Sequence, residues 1–163
     1  MRILLLGLGN ILLRDEGVGV HVAQKLQELT LPCNVEVMDG GTASLDALLL
    51  VEGIERLVVI DAVEAGKKPG TIYRIELGAV EKDRFRQSLI QQGRSNISLH
   101  QIGLLDALSI AERTNCAPKE VVVIGVEPGR IDCGLELTDE VKQKIPEVID
   151  AILKEIENDI YAE

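Results

Sequence analysis

The sequence predicts an α/β fold of three layers, a twisted and mostly parallel sheet with one antiparallel strand and helices on both faces. Three observations lead there. Short runs of β-branched residues and leucine alternate with helical patterns along the chain, which is how layered α/β folds read. The first of these runs, Arg2–Leu6, is apolar after its arginine, as in a strand buried on both faces. The 163 residues, 46% apolar and 27% charged, match one domain, residues 1–163, with a core that needs no disulfide or metal staple.

Each element follows from its residues. Arg2–Leu6 is a strand that ends in Gly7-Leu8-Gly9-Asn10. A helix is expected from about Asp15 to Leu29, with Val18, Val22, Ala23, Leu26 and Leu29 on its apolar face and His21, Lys25 and Glu28 on a solvated one. Asn34–Met38 is a second strand, closed by Asp39-Gly40-Gly41-Thr42, and Ser44 can cap a helix running to Val51. Leu57–Ile60 is a third strand ending at Asp61, and Lys67-Lys68-Pro69-Gly70 makes a tight turn. Thr71–Leu77 then runs antiparallel to its predecessor, because so short a connection allows no crossover. Val80 to Asn96 reads as a short helix and a mobile loop. Leu99–Arg113 is a helix, Glu120–Val126 a buried strand stopped by Glu127-Pro128-Gly129, and Thr138 caps a terminal helix that Pro146 kinks or restarts.

Composition narrows the function. Seventeen basic against twenty-seven acidic side chains leave a charge of −10, which repels phosphate backbones and anionic lipid, so neither nucleic acid nor membrane is an expected partner. Aromatics are 2% of the chain, too few for base-stacking platforms. Cys33, Cys116 and Cys133 form no Cys-x-x-Cys pair, so they read as buried fillers in a reduced, cytoplasmic protein rather than as a disulfide framework or zinc site. The apolar N-terminus is broken by Gly7 and Gly9 without a cleavage site, and no run reaches the roughly 20 residues of a membrane span.

Ligands of open α/β sheets bind beyond the carboxyl ends of the parallel strands. There the sequence places Asn10 and Asp15-Glu16-Gly17 after the first strand, Asp39 after the second, Asp61 after the third and Glu127 after the fifth, with His100 in the first turn of a helix. Taken singly, Asp15 and Glu16 also fit as dipole partners of a helix start, Asp61 as the cap of a turn, His100 as a core histidine and His21 as a surface residue. Together, Glu16, Asp61 and His100 are two carboxylates and one imidazole, a donor set for a metal with open coordination positions. Other chemistries fail on residue type. Gly7-x-Gly9 has Leu12 where a dinucleotide fingerprint has its third glycine, and neither a Gly-x-Ser-x-Gly elbow nor a phosphate loop is present.

The stretch from Gly7-Leu8-Gly9-Asn10 through Arg14-Asp15-Glu16-Gly17-Val18-Gly19 resembles the opening of the hydrogenase maturation endopeptidases. The resemblance continues through Asp39-Gly40-Gly41-Thr42, Ile60-Asp61-Ala62, Ser98-Leu99-His100-Gln101-Ile102-Gly103-Leu104, Gly125-Val126-Glu127-Pro128 and Leu137-Thr138. It covers nearly the whole chain in order, without departure at a functional position. It implies an endopeptidase that trims the C-terminal extension of a nickel–iron hydrogenase large-subunit precursor once nickel is inserted. Glu16, Asp61 and His100 would be the catalytic and metal-recognising residues, and Asp39, Gly40, Gly41 and Thr42 would line the substrate cleft. Nickel would arrive with the precursor rather than reside in the protein as a cofactor, and a monomer is expected. A non-catalytic, nickel-sensing chaperone of the same precursor would use the same trio. A nucleotide-binding enzyme would rest on Gly7-x-Gly9 alone.

Overall fold

The computed structural model describes residues 1–42, 53–78 and 99–160, with side chains omitted at 99–102 and 158–160. The expected helix from Ser44 to Val51 and the expected helix and loop between Val80 and Asn96 lie outside these residues. Among the described residues five strands form one sheet: β1 (Ile3–Leu8), β2 (Val35–Gly41), β3 (Arg56–Ala62), β4 (Ile72–Glu76) and β5 (Glu120–Val126), in the order β2-β1-β3-β5-β4. β2, β1, β3 and β5 are mutually parallel, and β4 is antiparallel to β5. A 3-10 turn (Arg14–Gly17) leads into α1 (Val18–Gln27), followed after β4 by α2 (Leu99–Arg113) and, at the C-terminus, by α3 (Asp139–Lys142) and α4 (Ile145–Ile160).

The alternation of side chains along each strand divides the apolar residues between two layers. Ile3, Leu5, Val58, Ile60, Val122 and Ile124 pack with Val18, Val22 and Leu26 of α1 and with Val148, Ile152 and Ile156 of α4. On the opposite face Leu4, Leu6, Leu57, Val59, Val121 and Val123 pack with Leu104, Leu105 and Leu108 of α2. The three-layer expectation therefore holds, with helices on both faces of a mostly parallel sheet. All seven residues of β3 are buried, as a central parallel strand demands.

The structure corrects three readings of the sequence and refines a fourth. Thr71–Leu77 runs antiparallel to its predecessor, as expected, but pairs with β5, which lies between β3 and β4. β5 is buried after its first residue and belongs inside the sheet, whereas β4 exposes Arg74 and Glu76, as an edge strand does. The first helix begins only at Val18, after the 3-10 turn, and ends at Gln27, leaving Leu29 45% exposed. Asp39, Gly40 and Gly41 belong to β2 rather than following it, and Asp61 lies within β3. Thr138 makes no side-chain cap on α3, its hydroxyl being engaged elsewhere. Pro146 acts as expected, in the first turn of the restarted helix α4.

At the amino end of the sheet, Glu155 of α4 joins two arginines. Arg56 Nη2 donates to Glu155 Oε2 at 2.6 Å with both side chains nearly buried, and Arg74 Nε donates to Oε1 at 2.5 Å. Burial alone would raise the Glu155 carboxyl, but the Arg74 and Arg56 guanidiniums outweigh it and hold it below the usual carboxylate range. A carboxyl held down in the folded state contributes stability above its unfolded value, lost as pH falls through the folded one. Glu155→Ala removes the shared partner of two guanidiniums, leaving Arg56 with Glu120 and Arg74 with Glu76, and should cost about 1.5–3 kcal/mol in urea unfolding at pH 7. The difference from wild type should shrink below about pH 4, and a cost under about 1 kcal/mol at pH 7 would contradict this account of the pair.

Candidate functional site

The carboxyl ends of β2, β1, β3 and β5 lie level, since Gly7 is in register with both Asp39 and Ile60, and Asp61 with Gly125. Two glycines bring the polar segments to this edge. Gly9 has φ +137°, and a Cβ there would lie 1.9 Å from the Glu16 carbonyl oxygen, so the 3-10 turn can fold back onto the end of β1 only over a glycine. At Gly19 a Cβ would lie 2.0 Å from the Ile60 carbonyl oxygen and 2.3 Å from that of Leu8. The first turn of α1 thus rests on the backbone of β1 and β3, beside Asp61.

Asn10 shapes the loop between β1 and the turn, its Oδ1 accepting from Leu12 N at 2.9 Å. Arg14 holds a left-handed conformation, φ 49°, at a cost of roughly 1–2 kcal/mol for an L-residue. It is retained because Arg14 N donates to Gly134 O at 2.9 Å and its Nε to Asp132 Oδ1 at 2.7 Å. Glu16 follows, half-buried, in the same turn, which packs against β3. Asp61 is 1% exposed, and its Oδ1 accepts from Ala62 N at 2.8 Å. The structure therefore brings the turn of Glu16 and the strand of Asp61 together. His100 is the second residue of α2, with its imidazole outside the described side chains. Among the described residues, no group of three His, Cys, Asp or Glu is arranged to hold a metal.

The Asp39–Thr42 segment adjoins this edge. Gly9 N donates to Gly41 O at 2.9 Å, tying β2 to the end of β1. Asp39 is exposed, and its carboxylate accepts from Gly41 N at 3.0 Å and from Gln24 Nε2 at 3.3 Å. Gly40 packs over the ends of Leu6 and Leu8, and Thr42 is exposed.

Two carboxylates have roles that the sequence did not reveal. Asp15, read as a dipole partner, is fully buried and accepts four hydrogen bonds, from Gly129 N (2.8 Å), Arg130 N (3.0 Å), Thr138 N (2.8 Å) and Thr138 Oγ1 (2.7 Å). Glu127, 5% exposed, accepts from Ala65 N, Gly66 N and Tyr73 Oη at 2.8, 3.1 and 2.5 Å, and so holds the loop that leaves β3. Burial and the bond to Glu127 push the Tyr73 hydroxyl up to about 12. In both cases the partners lie more than fifty residues away along the chain, and a local pattern cannot show them.

His21 is not a free surface residue. It is half-buried beside an apolar groove of about 630 Å³ that Leu29, Leu135, Ile145 and Ile149 also line. Burial lowers its imidazole below the usual 6.5, against a backbone hydrogen bond at Leu135 that raises it. A histidine held down in the folded state contributes stability above its unfolded value and loses it as pH falls. Its titration by NMR should fall below about 6.5, and a value above that would contradict this burial. The three cysteines are exposed rather than buried. Replacing Cys33, Cys116 and Cys133 by Ser should shift stability by less than about 0.5 kcal/mol each, measured by chemical denaturation. A larger loss would show that one of them packs.

Comparison with known proteins gives the family of the chain. The family model for hydrogenase maturation proteases matches residues 20–155. The hydrogenase 2 maturation protease of Escherichia coli (strain K12) is 36% identical over 155 residues, 94% of this chain and 89% of that protein. The hydrogenase expression/formation protein HupD of Thiocapsa roseopersicina is 37% identical over 154 residues, 93% of this chain, and the chain spans 66% of that relative's length. Among solved structures, the hydrogenase maturating endopeptidase HybD from E. coli superposes with a TM-score of 0.84 at 33% identity, covering 98% of this chain and 94% of that one. HybD from Thermococcus kodakarensis superposes at 0.70 and 30% identity, covering 94% and 98%. The chain belongs to the hydrogenase maturation protease family, hydrolases that act on peptide bonds.

Proposed function

We propose that this protein is an endopeptidase that removes the C-terminal extension of a nickel–iron hydrogenase large-subunit precursor after nickel insertion. The observation that carries the reading is the packing of the Glu16 turn against β3, where Asp61 sits, at the carboxyl edge of the sheet. With His100 at the start of α2, these residues supply two carboxylates and an imidazole. Such a set holds nickel weakly by itself, because thiolates on a precursor are softer and stronger donors for a late first-row metal. The trio would therefore read nickel that the precursor already carries, and the shared metal would fix the tail in the cleft. The backbone of Asp39–Thr42 would take the extended peptide alongside. Hydrolysis adds water to the scissile carbonyl, with the water proton passing to a carboxylate and on to the departing amine. Among the described residues no helix is long and apolar enough to cross a membrane. We place the protein, as a monomer, in the cytoplasm with its precursor.

The test is the mass of purified precursor after incubation with the protein. Nickel-loaded precursor should lose its tail, while metal-free and zinc-loaded precursor should stay intact. Intact nickel-loaded precursor bound to the protein would instead identify a nickel-sensing chaperone. Equal cleavage with and without nickel would remove metal recognition from the trio. Glu16→Gln, Asp61→Asn and His100→Ala should each slow cleavage by about 100-fold or more while leaving a cooperative melt. Normal cleavage by His100→Ala would refute the trio.

A further inference from the structure

We propose that Asp15 is a positioning residue for Glu16, fixing the 3-10 turn against the loop between β5 and α3. The inference rests on the reading of Glu16 as a site residue. Asp15 Oδ1 accepts from Thr138 N, and Oδ2 from Gly129 N, Arg130 N and the Thr138 hydroxyl. Its own N–H donates to Arg130 O, so backbone and side chain grip the same loop. A parallel bridge between Leu13 and Gly134 ties these segments further, Gly134 N donating to Leu12 O and Arg14 N to Gly134 O, both at 2.9 Å.

Apolar packing could join two loops, often with equal or greater stability than a buried charge. Packing tolerates sliding, however, whereas a carboxylate saturated by four donors from one side has one place and one orientation. Glu16 is the next residue of the same short turn and inherits that placement. Arg14, on the other side, is held in a left-handed conformation, and backbone strain of this kind persists where the surroundings over-determine it. A displacement of about 1 Å in a reacting group can cost on the order of 100-fold in rate, so a clamp this specific has a functional consequence that a stabilising contact lacks.

The test is a steady-state kinetic cycle on nickel-loaded precursor, run with precursor in excess and below the melting transition of every variant. Asp15→Asn turns an acceptor into a donor facing other donors, and should lower kcat about tenfold or more with KM within about twofold. In the Glu16→Gln background the same change should have no further effect beyond about twofold, since there is no carboxylate left to position. Thr138→Val removes one of the four donors without altering volume. It should lower kcat about threefold, be restored by Thr138→Ser, and likewise vanish in the Glu16→Gln background. Should Asp15→Asn fail to fold, the Thr138 cycle decides alone. Losses that multiply onto Glu16→Gln, or a wild-type kcat in the folded Asp15 variant, would overturn the inference and leave the proposed function standing. Wild-type cleavage by Glu16→Gln would overturn the reading of Glu16, and this inference with it.

Discussion

The structure depends on the contact between the first turn of α1 and the backbone of β1 and β3. At Gly19 there is no room for a methyl group, the Ile60 and Leu8 carbonyl oxygens being where it would sit, and at Gly7 a Cβ would lie 2.3 Å from the Gly19 carbonyl oxygen. This mutual approach sets the height of α1 over the sheet. Val18, Val22 and Leu26 then meet Ile60 and its neighbours, and the preceding turn falls at the carboxyl edge. Larger residues would lift the helix, open the core beneath it and withdraw Glu16 from the strand of Asp61.

Buried carboxylates then hold the loops at that edge. Asp15 and Glu127, both buried, each gather backbone N–H groups of edge-loop residues that are themselves exposed or half-buried. Leaving a buried acceptor unsatisfied costs about 1–3 kcal/mol, and more for a charge, so each carboxylate draws its loop in as apolar side chains cannot. The loops of a parallel sheet lie beyond its hydrogen-bond ladder, and they need such acceptors most where a ligand must fit closely. The division of labour is clear along the chain. Leucine, isoleucine and valine set the layers, glycine sets how near they come, and acidic residues set where the edge loops stop.

Most of the layering was legible in the sequence because it is local. The unbroken apolar run after Arg2 and the Leu104, Leu105 and Leu108 face of α2 each declare their surroundings within a few residues. Strand order was not legible. The turn at Lys67–Gly70 shows that the chain reverses, but not that β5, arriving some fifty residues later, takes the edge of β3. The sequence starts α1 three residues early because Asp15 and Glu16 imitate a helix's acidic first turn. The real environment of Asp15 is set by Gly129, Arg130 and Thr138, far away along the chain. The cysteines were misread in the opposite direction, as small apolar residues commonly buried, yet all three are exposed. Glu16, Asp61 and His100 could be named because strand-end placement and family resemblance agreed on them.

The central claim is that Glu16, Asp61 and His100 contact nickel carried by the precursor. X-ray absorption at the nickel edge tests it most directly, on precursor alone and on precursor trapped with the protein under conditions that slow cleavage. The expected result is that oxygen and nitrogen donors enter the nickel shell on complex formation, and that the nitrogen contribution is lost with His100→Ala. A nickel spectrum unchanged by the protein, in a complex that still goes on to cleave, would contradict the account.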